Sequence, residues 1–579
     1  MRAAVRRPLA LVAALLALAA TTTACVGMPD AGPVVTADPQ APALPEAGVE
    51  RRAQPPQEGD SPQNIVNGFL LAMTAYPVSL QVAREFLTTE EQQSWDPSKR
   101  TITYDGPSTQ KGDGGTITVR LKGARWIDSR GAWRGQRGDG RPQLHFTLVE
   151  ENSEWRISSA PNSFVVPDDW FQAHYVASSV YYFDPTASIL VAEPVLVPAD
   201  QRIPALVQAL LDGPGPRLED VVRSFVPDGL TLGLSVPVDA REVAAIDLDG
   251  TQSLTAEEAK LMVYQFAWTL NQDLGLSGFT ISIGGNPVSF TGSSNTFSVD
   301  LGSEFNPSEV QASGQLYGLR SGLLEAGDTA GDLQPVEGPF GTLGGIESVG
   351  VSLTATYAAA VVDDRHTVLR GSVNDDQHPV VPVVSDATEL LRPAWDFSDR
   401  MWLVDRTTSG ALVSYLDATR GSVPTQVEVR GITGRQVKRF LVSRDGTRLV
   451  AVVRGAERDE LRIARIRHSS AGAVIGVAAS RAVSWSSGDT QRILDIGWRS
   501  PTQVAVLHRL TQQVWQVSTI SVDGAGGPQE RVAQAQEATA LVSAPDGSTL
   551  YTRTPDGLLD LDGGPITLPL GFTSIQYVG

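Results

Sequence analysis

Cys25 is the only cysteine in the 579-residue chain, and it stands where a thiol is open to modification. Arg2, Arg6 and Arg7 precede an apolar stretch from Leu9 to Ala20, and the small residues Thr22, Thr23 and Ala24 lead directly into Cys25. The stretch is too short to span a bilayer and has the size of a secretory leader's apolar core. The expected chemistry is therefore acylation of the sulfur, because a secreted chain seldom keeps one unpaired thiol. The alternative is an ordinary secretory leader cut at an Ala-x-Ala-like site, with Cys25 left free.

Other residue types offer less. The six histidines, His145, His174, His366, His378, His468 and His508, form neither an H-E-x-x-H motif nor an i, i+4 pair, so no sequence-local zinc signature exists. No serine lies in Gly-x-Ser-x-Gly, and no phosphate loop of the Gly-x4-Gly-Lys type is present. The acidic pairs Asp168-Asp169, Asp363-Asp364 and Asp375-Asp376 are expected in solvated loops. Asp247-x-Asp249-Gly250 and Asp560-x-Asp562-Gly563 lack the later ligands of a calcium loop, and strand ends with turns account for them. Trp170, Phe171, Tyr175, Tyr181 and Tyr182 crowd one short region, where they form an interdomain seam or a docking surface, the seam being favoured. Neither catalytic residue, metal nor soluble cofactor is assigned, and a non-enzymatic chain is expected.

The Cys25 context resembles the lipobox of bacterial lipoproteins. That resemblance implies cleavage after Ala24, an S-diacylglycerol thioether on Cys25 and an N-palmitoyl group on its new amino terminus. Two or three acyl chains, at about 0.8 kcal/mol per buried methylene, hold a protein stably on a membrane. The expected location is the extracytoplasmic face of the cell membrane, anchored by lipid.

Bulk properties fit that location. The formal charge of −19 opposes nucleic acid and anionic headgroups, so attachment falls to the acyl chains. The length exceeds what one hydrophobic core supports, and several domains are expected. No second apolar run approaches the roughly 20 residues of a membrane helix.

The elements along the chain divide it further. Residues 1–24 are the leader, and residues 25–60, rich in proline, form an extended tether. Residues 61–180 open with a helix capped by Ser61 and led by Pro62, with Ile65, Val66, Phe69, Leu70 and Met73 at helical spacing. A second helix is expected over Leu80 to Gln93, then strands at Ile102 to Tyr104, Thr116 to Ile127, Gln143 to Glu150 and Trp155 to Ser158. This α+β order resembles the NTF2-like cone. In residues 181–301, strands at Tyr181 to Phe183 and Leu190 to Leu196 precede a helix over Ile203 to Asp212. Strands follow at Leu230 to Val236 and Val243 to Leu248, then a helix opened by the Thr255-Ala-Glu-Glu258 capping box and a strand from Phe279 to Ile283. The segments "LVQALLDGP", "FVPDGLTLGLSVPVD", "VAAIDLDG" and "GFTISIGGNPV" resemble the GerMN domain of sporulation and germination proteins.

Residues 302–579 repeat. "VSLTATYAAAVV" (Val351 to Val362) aligns with "VSRDGTRLVAVV" (Val442 to Val453) and, with one added residue, "VSAPDGSTLYTR" (Val542 to Arg553). Strand centres at Leu316, Ala360, Trp402, Leu449, Val504 and Leu550 have the period of four-stranded blades, predicting an all-β propeller of five or six blades. "GQLYGLRSGLLEAGD" and "STLYTRTPDGLLDLDG" resemble each other, so the first and last blade segments are expected to be equivalent. Lipobox, tether, "PQNIVNGFLLAM", GerMN-like middle and propeller together resemble the LpqB-type lipoproteins of actinobacteria. That resemblance implies a partner, the extracytoplasmic domain of an MtrB-type sensor histidine kinase of the MtrA–MtrB two-component system, with effects on cell envelope and division. A peptidoglycan or glycan binder, with Trp395, Trp402, Trp485 and Trp498 stacking on sugars, is the second expectation, and an envelope hydrolase the third.

Overall fold

In the computed structural model the described residues are 53–579, apart from 112–114, 137–142, 273–274, 291, 293–294, 309–311, 332, 376–377, 419–422, 486–490, 527, 546, 548 and 570. The expected leader, Cys25 and most of the tether lie outside the described residues, as do Asp376 and Asp546.

Near the N-terminus, the Ser61 side chain accepts from the Asn64 backbone N–H, starting the helix Pro62–Ala72, whose Ile65, Val66, Phe69 and Leu70 are buried. The helix expected over Leu80 to Gln93 is instead two, Gln81–Glu85 and Thr89–Ser94. Thr88 separates them because its extended backbone lets its hydroxyl cap the second helix at the Glu91 N–H. The long strand expected from Thr116 is likewise two, Thr116–Lys122 and Arg125–Asp128. Gly123, at φ +62°, makes the corner, and a Cβ there would collide with the Asp105 carboxylate.

Two four-stranded sheets enclose this core. One runs Gly106–Lys111, Thr116–Lys122, Gln143–Glu151, Glu154–Ser159. The other runs Trp133–Gln136, Arg125–Asp128, Arg100–Tyr104, Phe164–Pro167, with its last pair parallel. Leu144, Phe146 and Leu148 alternate inward along one strand. Phe69 meets Trp95 and Phe146 edge-on, at 5.2 and 5.9 Å.

Strand Tyr175–Phe183 pairs antiparallel with Leu190–Pro198 and leads into the middle domain. There Val243–Asp249 and Gly278–Ile283 are parallel neighbours, a pairing that requires a crossover, supplied by the helix Ala256–Leu270. Both capping-box bonds are present: Thr255 Oγ1 accepts from the Glu258 N–H, and the Glu258 carboxylate accepts from the Thr255 N–H. The strand expected from Leu230 to Val236 shrinks to Thr231–Leu232, and Leu234 beyond it is fully exposed.

The remaining chain forms, among the described residues, six successive antiparallel sheets, one with a fifth strand. The aligned repeats fall on equivalent strands: Tyr357–Val362, Arg448–Val453 and Leu550–Thr554 are each second in their sheet. Leu316–Arg320 is also second in its sheet, because the C-terminal strand Phe572–Gln576 pairs with it as the first. The chain's end thus completes the sheet that its middle begins, as the likeness of the two segments requires. Residues 52–579 make up one compact unit.

Candidate functional site: a cleft shared by three domains

The turn after Arg125–Asp128 carries the N-terminal domain onto the middle one. Asp128 Oδ1 accepts from the backbone N–H groups of Arg130 and Ala132, and its other oxygen pairs with Arg134. So held, the turn offers the Gly131 carbonyl to the Leu196 N–H at 2.9 Å. Arg130 Nε donates to the carbonyls of Asp212 and Gly213 at 3.1 Å, meeting groups left open at the end of helix Arg202–Leu211.

Glu193, in strand Leu190–Pro198, joins the middle domain to the propeller. Its carboxylate accepts from Arg448 at 2.7 Å and from Arg465 through both oxygens at 2.6 Å. Arg448 is fully buried, pairs with Asp445 at 3.1 Å and also donates to the Ala192 carbonyl. Burial lowers the Arg448 pKa from its ordinary value, with Arg465 acting in the same direction and Glu193 and Asp445 opposing. A second tie runs from the His468 N–H to the Asp220 carbonyl at 2.7 Å.

Between these ties lies an open cleft with two lobes, about 800 and 870 Å³, which share Trp133, Arg134, Arg217, Arg481 and Asp523 in their walls. One lobe continues along Arg430, Arg465 and Arg467 of the propeller, the other along Phe171 and Tyr175. The cleft is cationic in a chain of charge −19, with Arg125, Arg130, Arg134, Arg217, Arg430, Arg465, Arg467 and Arg481 against Asp168, Glu193, Glu219, Glu428 and Asp523. Burial raises the Asp523 pKa and lowers that of Arg481. Several of these charges are already committed: Arg125 to Asp105 and Asp168, Arg134 to Asp128, Arg465 to Glu193. Arg217, Arg430 and Arg467 are exposed and have no side-chain partner among the described residues.

The crowded aromatics divide between two cores, Trp170, Phe171 and Tyr175 in the N-terminal domain and Tyr181 and Tyr182 in the middle domain, with Phe171 and Tyr175 also reaching the cleft wall. Trp170, Phe171 and Tyr182 are buried, Trp170 stacks on His174 and Phe171 on Tyr175, and burial pushes the Tyr175 and Tyr181 phenols up to about 12. Asp168 and Asp169 occupy the first turn of helix Asp168–His174 rather than a loop, a favourable place for negative charge. Asp363 and Asp364 sit in the turn between Tyr357–Val362 and Thr367–Ser372, each at positive φ. Asp247 accepts from Ser282 at the end of a strand, and Asp562 pairs with Arg499. His468 and His508 are buried, and no group of three metal-ligating side chains is present among the described residues. Trp395, Trp402, Trp485 and Trp498 are all buried within the propeller, where Trp402 donates to Asp396, Trp485 to the Asp459 carbonyl and Trp498 to the Val442 carbonyl. None of the four offers a face for a sugar.

Sequence reasoning did not single out Glu193, Arg448 or the cleft arginines. A faint signal was there: Glu193 is the one charge in the apolar run Leu190 to Pro198, and Arg448 opens an otherwise apolar strand. Among the described residues no helix is long and apolar enough to cross a membrane.

Comparison with known proteins matches each domain. Residues 55–172 match the family described as lipoprotein LpqB, N-terminal domain; residues 179–289 match sporulation and spore germination; residues 322–565 match the lipoprotein LpqB beta-propeller domain. Lipoprotein LpqB of Cutibacterium acnes is 26% identical, covering 94% of this chain and 95% of its own. Lipoprotein LpqB of Streptomyces coelicolor is 27% identical, covering 96% of each. Among solved structures, the first GerMN domain of the sporulation protein GerM from Bacillus subtilis is similar over 21% of this chain and 97% of its own, at 22% identity and a TM-score of 0.19. With all three domains matched in order and relatives of one name aligned over nearly the whole length, the chain belongs to the LpqB lipoprotein family.

Proposed function

We propose that this protein is a lipid-anchored accessory of the cell membrane's outer face that works by binding another protein, without catalysis. The observation that carries it is the Glu193-centred junction, which fuses the middle domain to the propeller while leaving an open cleft between three domains. A rigid composite surface is pre-organised for recognition, because little ordering entropy remains to oppose binding. In this account the six sheets are the six blades of a closed propeller, residues 61–180 form the NTF2-like cone, and Cys25 carries the diacylglyceryl and palmitoyl chains. The partner is the extracytoplasmic domain of a sensor histidine kinase of the MtrB type, as family membership suggests.

The test is capture of the kinase ectodomain by the full chain in detergent, against an unrelated lipoprotein as control. Enrichment above the control is expected. Capture at the control level removes the signalling role and leaves the wall-binding alternative, for which a glycan array is the direct assay.

A further inference from the structure

The geometry points to an acidic peptide segment, supplied by a protein partner, as the occupant of the three-domain cleft, with Arg217, Arg430 and Arg467 as the residues that recognise it. This rests on the protein-binding function proposed above and adds the chemistry of the bound segment.

Arg217 comes from the middle domain, Arg430 and Arg467 from the propeller, and all three line the same lobe. Their guanidinium groups are exposed and lack partners among the described residues, whereas the neighbouring Arg465 is held by Glu193 through both oxygens. An unpaired guanidinium keeps its fork of donors free for a carboxylate or phosphate, which it binds in a charge-assisted, often bidentate way. The cleft therefore presents anion-binding capacity that the protein's own carboxylates do not use.

Charge and shape favour a peptide over a polyphosphate. Glu219 and Glu428 stand in the same lobe and would repel a uniformly charged chain, while a peptide can set neutral or basic residues against them. The second lobe is walled by Trp133, Phe171 and Tyr175, which suits apolar side chains. Two connected lobes, each the size of a small-ligand pocket, match an extended segment better than one compact ligand.

The test uses the full chain in detergent and a fluorescent peptide of alternating Asp and Leu, with an Asn–Leu peptide and poly(glycerol phosphate) as comparisons. The Asp–Leu peptide should bind, and weaken as salt rises. The triple variant R217E/R430E/R467E should lose about tenfold or more in affinity. Because these side chains are exposed and unpaired, its melting temperature should match the parent's. Reversal of Arg241, which is exposed and lines neither lobe, should leave binding unchanged. Equal binding of the Asn–Leu peptide, unchanged affinity in the triple variant, tighter binding of the polyphosphate or no peptide binding at all would each overturn the inference. Capture of the kinase ectodomain, run in parallel, separates the two ideas. Capture by parent and triple variant alike keeps the partner and removes the cleft. Peptide binding without ectodomain capture keeps the cleft and removes that partner.

Discussion

Glu193 and Arg448 lie 255 residues apart in sequence and 2.7 Å apart in space, and their contact fastens the middle domain to the propeller. Arg448 is fully buried, so its charge depends on this carboxylate and on Asp445. Removing one partner of a buried pair leaves an uncompensated charge and costs more than the intact pair contributes.

Glu193→Gln should therefore destabilise the protein by roughly 3 kcal/mol, the low end of the range for breaking buried pairs, because Asp445 still faces Arg448. Chemical denaturation measures it, and unfolding should split as the propeller loosens from the middle domain. Arg465→Gln should cost less, since Arg465 is nearer the surface and leaves the Glu193–Arg448 contact in place.

Mild acid should weaken the same seam through His468. Burial first, and then the Arg400 guanidinium 3.2 Å away, hold its pKa below the ordinary 6.5, against the opposing pull of Asp396, Asp184 and Asp445. A depressed imidazole is neutral in the folded state, so its stabilising effect is present above pH 6.5 and is lost as pH falls from there towards the folded pKa. Stability should decline with acidification in that window, and His468→Gln should flatten the decline. An unchanged pH profile in the variant would assign the acid sensitivity elsewhere.

Thr255→Ala removes the hydroxyl that receives the Glu258 N–H, and should cost about 1 kcal/mol. Deleting residues 572–579 is a harsher cut. It opens the edge of Leu316–Arg320 and exposes the groups that Phe572 and Ile575 cover, which together stabilise by roughly 3–6 kcal/mol. Limited proteolysis should find the truncated propeller cleaved far faster than the parent.

What was readable in the sequence was local or periodic. Thr255 and Glu258 are three positions apart and announce their helix, and the blades repeat closely enough for Ala360, Leu449 and Leu550 to fall on equivalent strands. Local cues also misled where one side chain or one glycine breaks a pattern. Thr88 turns a helix into two by capping the second, and Gly123 turns a strand into two by taking a left-handed backbone. The cleft was not readable, because Arg134, Arg217 and Arg467 come from three domains and only folding brings them together. Long-range charge pairs leave no periodic trace, and their marks are a lone Glu193 in one apolar strand and a lone Arg448 at the start of another.

In the proposed function, lipid attachment at Cys25 sets where the cleft works. Mass spectrometry of the N-terminal peptide from native membranes, paired with fractionation of a Cys25→Ser variant, tests it directly. The account predicts a chain beginning at Cys25 with diacylglyceryl and acyl mass added, and a variant that leaves the membrane fraction. A free Cys25 thiol, a retained leader, or a variant that stays membrane-bound would contradict it.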